Sequence, residues 1–304
     1  SKQFEGMAVL ILVNQGKLRL DDYIDTYLKD LPIDDRKITI KQLLTHVSGM
    51  PEITQNENFM NSLDKPRSID EILAIALNGP MRHEVGGKYM YCNTGYTIVV
   101  KLIEQITGQS YHDFLAENIL NPLDMKNTYS CDINNNAIDI ASRYRQDSTG
   151  FHDAVKVHFS NLIGGGGIIS NVRDMSIWAD ALLSGKNLPT NYKEMWQTAI
   201  LNNGEENLQF YFEEGVQTAM LNNGEDTHYG LGMGISNVDG DIFYYHPGQG
   251  SGMNAINLIF PEKQISITVI RNVSKPKTSS AEIALYAYSQ LRKDSASNGH
   301  SANK

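Results

Sequence analysis

Three short stretches of this 304-residue chain carry side chains able to move protons. Lys2 stands at the start, Tyr91 and Asn93 share the triplet Tyr91-Cys92-Asn93, and His246 leads His246-Pro247-Gly248, with Gln249 next. An amine, a phenol and an imidazole serve as general acids and bases once burial or a neighbouring charge tunes their pKa. Each has an ordinary alternative. A lysine at a chain start is usually a solvated charge, a lone tyrosine or histidine a packed core side chain, and an asparagine before a helix a turn former. A pure binding protein has no need of such a proton-transfer set, so the combination favours catalysis.

The elements around these residues must do the positioning. Residues 3–15 carry Phe4, Met7, Ala8, Leu10, Ile11 and Val13 and are followed by Gly16, which predicts a nearly buried helix with Lys2 at its amino end. Apolar residues spaced by three and four, with recognisable caps, predict further helices over 39–47, 68–77, 94–107, 110–120 and 171–183. After Tyr229 the period changes to two. Strands are expected over 231–237, 241–246, 254–260 and 265–272, the second ending at His246 where the chain turns outward. Ile265, Ile267 and Val269 alternate with Ser266 and Thr268, as in an antiparallel strand with one covered face. Residues 280–291 read as a closing helix.

The order and surroundings of the three stretches resemble the serine beta-lactamase and penicillin-binding protein superfamily, in the class C beta-lactamase, D-aminopeptidase, DD-peptidase and esterase branch. Ser1-Lys2 resembles the end of its S-x-x-K motif, Tyr91-Cys92-Asn93 its Y-x-N element, and His246-Pro247-Gly248 the H-x-G variant of its K-T-G strand. Flanking matches are Leu43-Leu44-Thr45-His46-Val47-Ser48-Gly49-Met50-Pro51, Asn121-Pro122-Leu123-Asp124-Met125 and the glycines Gly164 to Gly167 before Asn171. The resemblance runs from Lys2 to about residue 292.

It implies an α+β fold in which an antiparallel sheet flanked by helices packs against an all-helical domain, with the site at their seam. Residues 1–20 would form the central catalytic helix, 21–228 a mainly helical domain, 229–292 the sheet and closing helix, and 293–304 a disordered tail. The nucleophilic serine would lie three positions before Lys2, upstream of this chain, together with the strands that complete the sheet. Their absence would leave a sheet edge and apolar surface exposed, and the chain alone inactive. Lys2 would either act as base or remain charged and lower the pKa of Tyr91. Tyr91, between Lys2 and His246, would act as phenolate base and return the proton to the leaving group. Asn93 would donate to a substrate carbonyl and help hold Lys2. His246 would bond the tyrosine or a substrate carboxylate, Gly248 would permit close backbone approach, and the Gln249 N–H would supply one oxyanion donor.

True class C enzymes more often carry lysine at the position of His246, so His-Pro-Gly lies nearer to D-specific peptidases and esterases. The substrates implied are D-amino-acid peptides, cell-wall fragments, beta-lactams or small esters. The alternative is a non-catalytic protein keeping the cleft to hold peptides or partners. The resemblance also implies an extracytoplasmic place of work, periplasmic or secreted.

Composition sets bounds. A 41% hydrophobic content supports a sizeable core, and a net charge of -9 with interspersed signs offers no basic stripe for nucleic acid. No stretch has the roughly 18 apolar residues of a membrane span. The histidines show no metal-ligand spacing, Gly164 to Gly167 lack the Lys-Ser/Thr of a phosphate loop, and neither a metal nor a cofactor is expected. Cys92 is read as a small packed thiol, and His46 as structural. Finally, residues 197–205 recur as 217–225 with one difference in nine positions. Two copies are too few for a solenoid, and the duplication reads as a surface excursion.

Overall fold

A computed structural model describes residues 1–33, 37–132, 134, 140–202, 228–274 and 276–299. Helix α1 (Lys2–Asn14) is buried from Lys2 through Leu12, which places it at the centre rather than on the surface. Its carboxyl end closes with Gly16 at φ 68°, the Gly16 N–H donating to Val13 and the Lys17 N–H to Leu12, the double bond pattern of a left-handed glycine cap.

Around α1 lie α2 (Ile40–Leu44), α3 (Glu57–Met60), α4 (Ile69–Leu77), α5 (Asn93–Thr107), α6 (Tyr111–Leu115), continued by a π-helical turn over Ala116–Leu120, and α7 (Val172–Ser184). Thr39 and Ser68 form reciprocal capping boxes with Gln42 and Glu71, and Asn171 caps α7. The helices expected over 39–47, 68–77, 110–120 and 171–183 therefore begin one residue later, after the capping residue, whereas α1 and α5 begin one residue earlier than expected and α2 already ends at Leu44.

The stretch expected to be mainly helical also holds small sheets. Strand β1 (Tyr129–Ser130) pairs with β4 (Ile168–Ile169), and β2 (Tyr144–Asp147) with β3 (Gly150–Asp153). Two- and four-residue strands are too short to display a period of two.

The main sheet is antiparallel in the order β5 (His228–Tyr229), β6 (Gly234–Val238), β7 (Asp241–Gly250), β8 (Met253–Phe260), β9 (Ile265–Arg271). Asp239 and Gly240, both at positive φ, make the tight turn between β6 and β7. A short β10 (Val273–Ser274) runs parallel to β2 and so ties the sheet region to the helical region. Helix α8 (Ser280–Gly299) covers one face, with Tyr288 stacked on Phe260 at 3.8 Å between ring centroids. The other face meets α1 and α7. Gln3 joins all three elements there, its Oε1 accepting from Trp178 Nε1 at 2.7 Å and from Asn257 Nδ2 at 3.4 Å.

Several expectations change. Strand β7 does not end at His246 but continues through Pro247 and Gly248 to Gly250. β9 has no single exposed face: it is partly covered on both, with the Thr268 hydroxyl donating to Asn257 Oδ1. Among the described residues β9 is an edge strand, and Ile270 is exposed on it. Residues 294–299 of the expected disordered tail continue α8, because a helix nucleated by a packed first half propagates cheaply. Residues 300–304 and most of the duplication, residues 203–225, lie outside the described residues. The first copy is anchored at Asn202, whose N–H and Nδ2 donate to the carbonyls of Gly86 and Val85.

Candidate active site

Lys2 is the first residue of α1 and is wholly buried. The chain at 230–232 is pressed against this first turn. A Cβ at Gly232, which sits at φ +93°, would fall 2.1 Å from the Lys2 carbonyl oxygen, so only glycine fits. The lysine Nζ donates to Asn93 Oδ1 at 2.7 Å and to the Gly165 carbonyl at 3.1 Å. It also lies over the rings of Tyr91, 4.6 Å from the centroid, and Tyr96, at 5.0 Å. The glycine run is thus a packing device. Gly164, at φ +75°, lies so close to α5 that a Cβ would come within 2.5 Å of Tyr96 and Thr97 backbone, and the next carbonyl meets the lysine.

Asn93 opens α5, where Cys92 supplies no side-chain cap. Glu52 supplies one from a distant segment, accepting from the Asn93 N–H at 2.5 Å and from Asn93 Nδ2 at 3.0 Å. The Ile53 N–H in turn donates to Thr94 Oγ1 at 3.0 Å. Arg82 clamps the approach to α5 through the carbonyls of Met50, Met90 and Tyr91. Cys92 is a free, buried thiol, as expected.

Tyr91 packs on His46 with 4.3 Å between ring centroids, and Tyr96 and Tyr229 complete an aromatic nest around that histidine. His46 sits at φ 60° and its Nδ1 accepts from the Cys92 N–H at 3.1 Å. Burial, then the nearby Lys2, holds its pKa well below the usual histidine range. It is neutral and shapes the backbone beneath Tyr91.

His246 lies 6.4 Å from Tyr91 between ring centroids, yet its hydrogen bonds go elsewhere. Nδ1 is 2.6 Å from the Pro247 carbonyl and Nε2 is 2.9 Å from the Tyr229 hydroxyl. A carbonyl only accepts, so Nδ1 carries the proton and Tyr229 donates to Nε2. Desolvation, then Lys2, keeps the imidazole neutral, with its pKa well below the ordinary value. Pairing of β7 with β6 stops at Tyr245. Beyond it the strand has no partner on that side among the described residues, which is where a proline can sit without loss. Gly248 and Gln249 lie exposed along this open stretch.

Lys2, Tyr91, Asn93 and His246 therefore share one site, while Gly248 and Gln249 extend from it along the strand edge. The electrostatics redistribute the expected roles. Desolvation pulls the Lys2 pKa down to about 8, opposed by Glu5 and then Glu52. Burial, and after it Glu52, pushes the Tyr91 phenol far above its ordinary value. A phenolate at Tyr91 is thus disfavoured, and the lysine amine is the base within reach of neutrality. One N–H of the Asn93 amide is taken by Glu52. Glu52, Tyr229 and the Gly165 carbonyl have no counterpart in the sequence reading. Glu52 directly follows the matched segment ending at Pro51, but no local pattern marks it.

The Beta-lactamase family profile matches residues 1–291. The chain belongs to the beta-lactamase family. Protein flp of Staphylococcus aureus strain MW2 is 29% identical over 132 residues, which is 42% of this chain and 26% of that protein. Penicillin-binding protein 4* of Bacillus subtilis strain 168 is 30% identical over 132 residues, 42% of this chain and 28% of that protein. The matches span about a quarter of the length of these curated relatives. Among solved structures, the octameric penicillin-binding protein homologue from Pyrococcus abyssi has a TM-score of 0.78 at 25% identity, covering 96% of this chain and 64% of that one. The D-amino acid amidase from Ochrobactrum anthropi SV3 complexed with L-phenylalanine has a TM-score of 0.76 at 22% identity, covering 96% and 83%. The fold is the mixed helix and antiparallel sheet arrangement of these proteins.

Proposed function

We propose that this site performs acyl transfer from an amide or ester through a serine acyl-enzyme, with Lys2 as general base. The observation that carries the reading is the buried Lys2 amine held between Asn93 and Gly165 beside Tyr91 and His246. The S-x-x-K pattern sets the attacking serine one helical turn ahead of Lys2, and residues three apart share a helix face. The hydroxyl proton passes to the Lys2 amine as the serine oxygen bonds to the carbonyl carbon. The carbon–nitrogen or carbon–oxygen bond then breaks as the leaving group takes a proton from the Lys2 ammonium, directly or through the Tyr91 hydroxyl, which passes on its own proton and receives the lysine's. Water hydrolyses the acyl ester with the same base. The Gln249 N–H and the serine's own N–H would face the oxyanion. The D-amino acid amidases of the same fold and the His-Pro-Gly strand favour D-amino-acid peptides or their amides, with cell-wall fragments, beta-lactams and small esters as further candidates.

A polypeptide carrying the residues upstream of Ser1, treated with a fluorescent phosphonate or penicillin, should label a single serine three positions before Lys2. The 304 residues alone should stay unlabelled. Absence of label in the extended protein leaves the cleft as a binding site only.

A further inference from the structure

We propose that Glu52 is a positioning residue of this site, fixing which way round the Asn93 amide faces Lys2 and so holding the lysine in place. The inference deepens the catalytic reading and rests on it for its purpose. In its ammonium form Lys2 Nζ only donates, and the Glu52 carboxylate only accepts, so the amide between them then has one permitted orientation, Oδ1 toward the lysine and Nδ2 toward the glutamate. A second bond to the Asn93 N–H pins the backbone at the start of α5, whose dipole favours an anion there. Glu52 is itself held, its Oε1 accepting from the Thr54 N–H at 3.1 Å and Thr54 Oγ1 at 2.9 Å. One carboxylate thus caps two helical segments and orients the asparagine. Without it the amide can rotate by half a turn and set its NH2 against the ammonium.

The charged and titratable groups around Lys2 are the Ser1 amino group and Glu5 on α1, Tyr91, Cys92 and Tyr96 around the start of α5, His46 after α2, and His246 on β7. Glu52 differs from these in bonding the Asn93 amide as well as favouring the charged lysine.

The test titrates Lys2 directly, by NMR of the 304-residue chain labelled at the lysine ε-carbon, in wild type, Glu52→Gln and Glu52→Asp. Loss of the negative charge and of one of the two oxygens that grip Asn93 both disfavour the ammonium, so in Glu52→Gln the Lys2 midpoint should fall by about one unit. Glu52→Asp, which keeps the charge but shortens the reach, should give a smaller fall. A merely structural cap would lower the melting temperature and, with the charge kept in Glu52→Asp, leave the Lys2 midpoint unmoved in that variant, and that result overturns the proposal. If the glutamine variant does not fold, the aspartate variant decides by the same criterion. Failure of serine labelling in the extended protein would remove the hydrolase reading without changing this titration.

Discussion

At the scale of single residues, the site works by pairing groups of fixed hydrogen-bond character. Lys2 meets acceptors, Asn93 is gripped from both ends, and His246 is held in one tautomer by a carbonyl and a hydroxyl. Tyr229→Phe removes the donor to His246 Nε2. Nitrogen NMR of the imidazole should still show the Nδ1-protonated form, because the Pro247 carbonyl remains, while acylation in the extended protein should slow on the order of tenfold, from loss of one hydrogen bond. The residues that could be read from sequence are those inside short motifs: Lys2 at a helix start, Tyr91 and Asn93 two apart, His246 before Pro-Gly. Glu52 and Tyr229 were not legible, because their bonds span 41 and 17 residues and leave no local signature. The protonation of Tyr91 was hidden for a different reason. Burial decides it, and burial belongs to the packed molecule.

At the scale of elements, α1 matters most, since it is core and carries Lys2 in its first turn. Gly232 lets the neighbouring chain lie against its first turn. Gly232→Ala should cost roughly 3 kcal/mol or more in urea unfolding, combining a strained φ with a backbone clash. Gly16→Ala, equally left-handed but with open space around it, should cost only about 1 kcal/mol. Similar losses at the two positions would contradict the close approach at Gly232. Glu5, on the same helix, is buried, and burial raises its pKa from 4.5 to about 6. The native state then binds this proton more tightly than the unfolded chain. Its contribution is favourable below about 4.5 and is lost as pH rises through about 6, a change of about 2 kcal/mol. Glu5→Gln should flatten that part of the melting-temperature profile. A profile unchanged by the substitution would mean that Glu5 does not titrate there. Elements with many periods were readable from sequence, as α5, α7, β8 and β9 show. Strand β7 was cut short at His246 because Pro247 and Gly248 read as breakers, whereas its open side leaves no partner for the proline to disappoint.

At the scale of the whole molecule, the sheet and the helices meet across α1, and their seam collects a lysine, a tyrosine, an asparagine and a histidine from distant parts of the chain. The α+β arrangement was implied by the family resemblance, and the change of period after Tyr229 agreed with it. The small β1–β4 and β2–β3 pairings, and the β10–β2 tie between the two regions, were not legible, since strands this short depend on partners that only the assembled fold brings near. The proposed function depends most on the dry environment around Lys2, which lowers the pKa of its amine. The pH dependence of acylation in the extended protein measures it most directly. With Lys2 as base, the second-order rate should rise through one ionisation at about 8 and then level off, and Lys2→Ala should abolish it. A rate that keeps rising into the range of a tyrosine phenol, or survives the loss of Lys2, would contradict it.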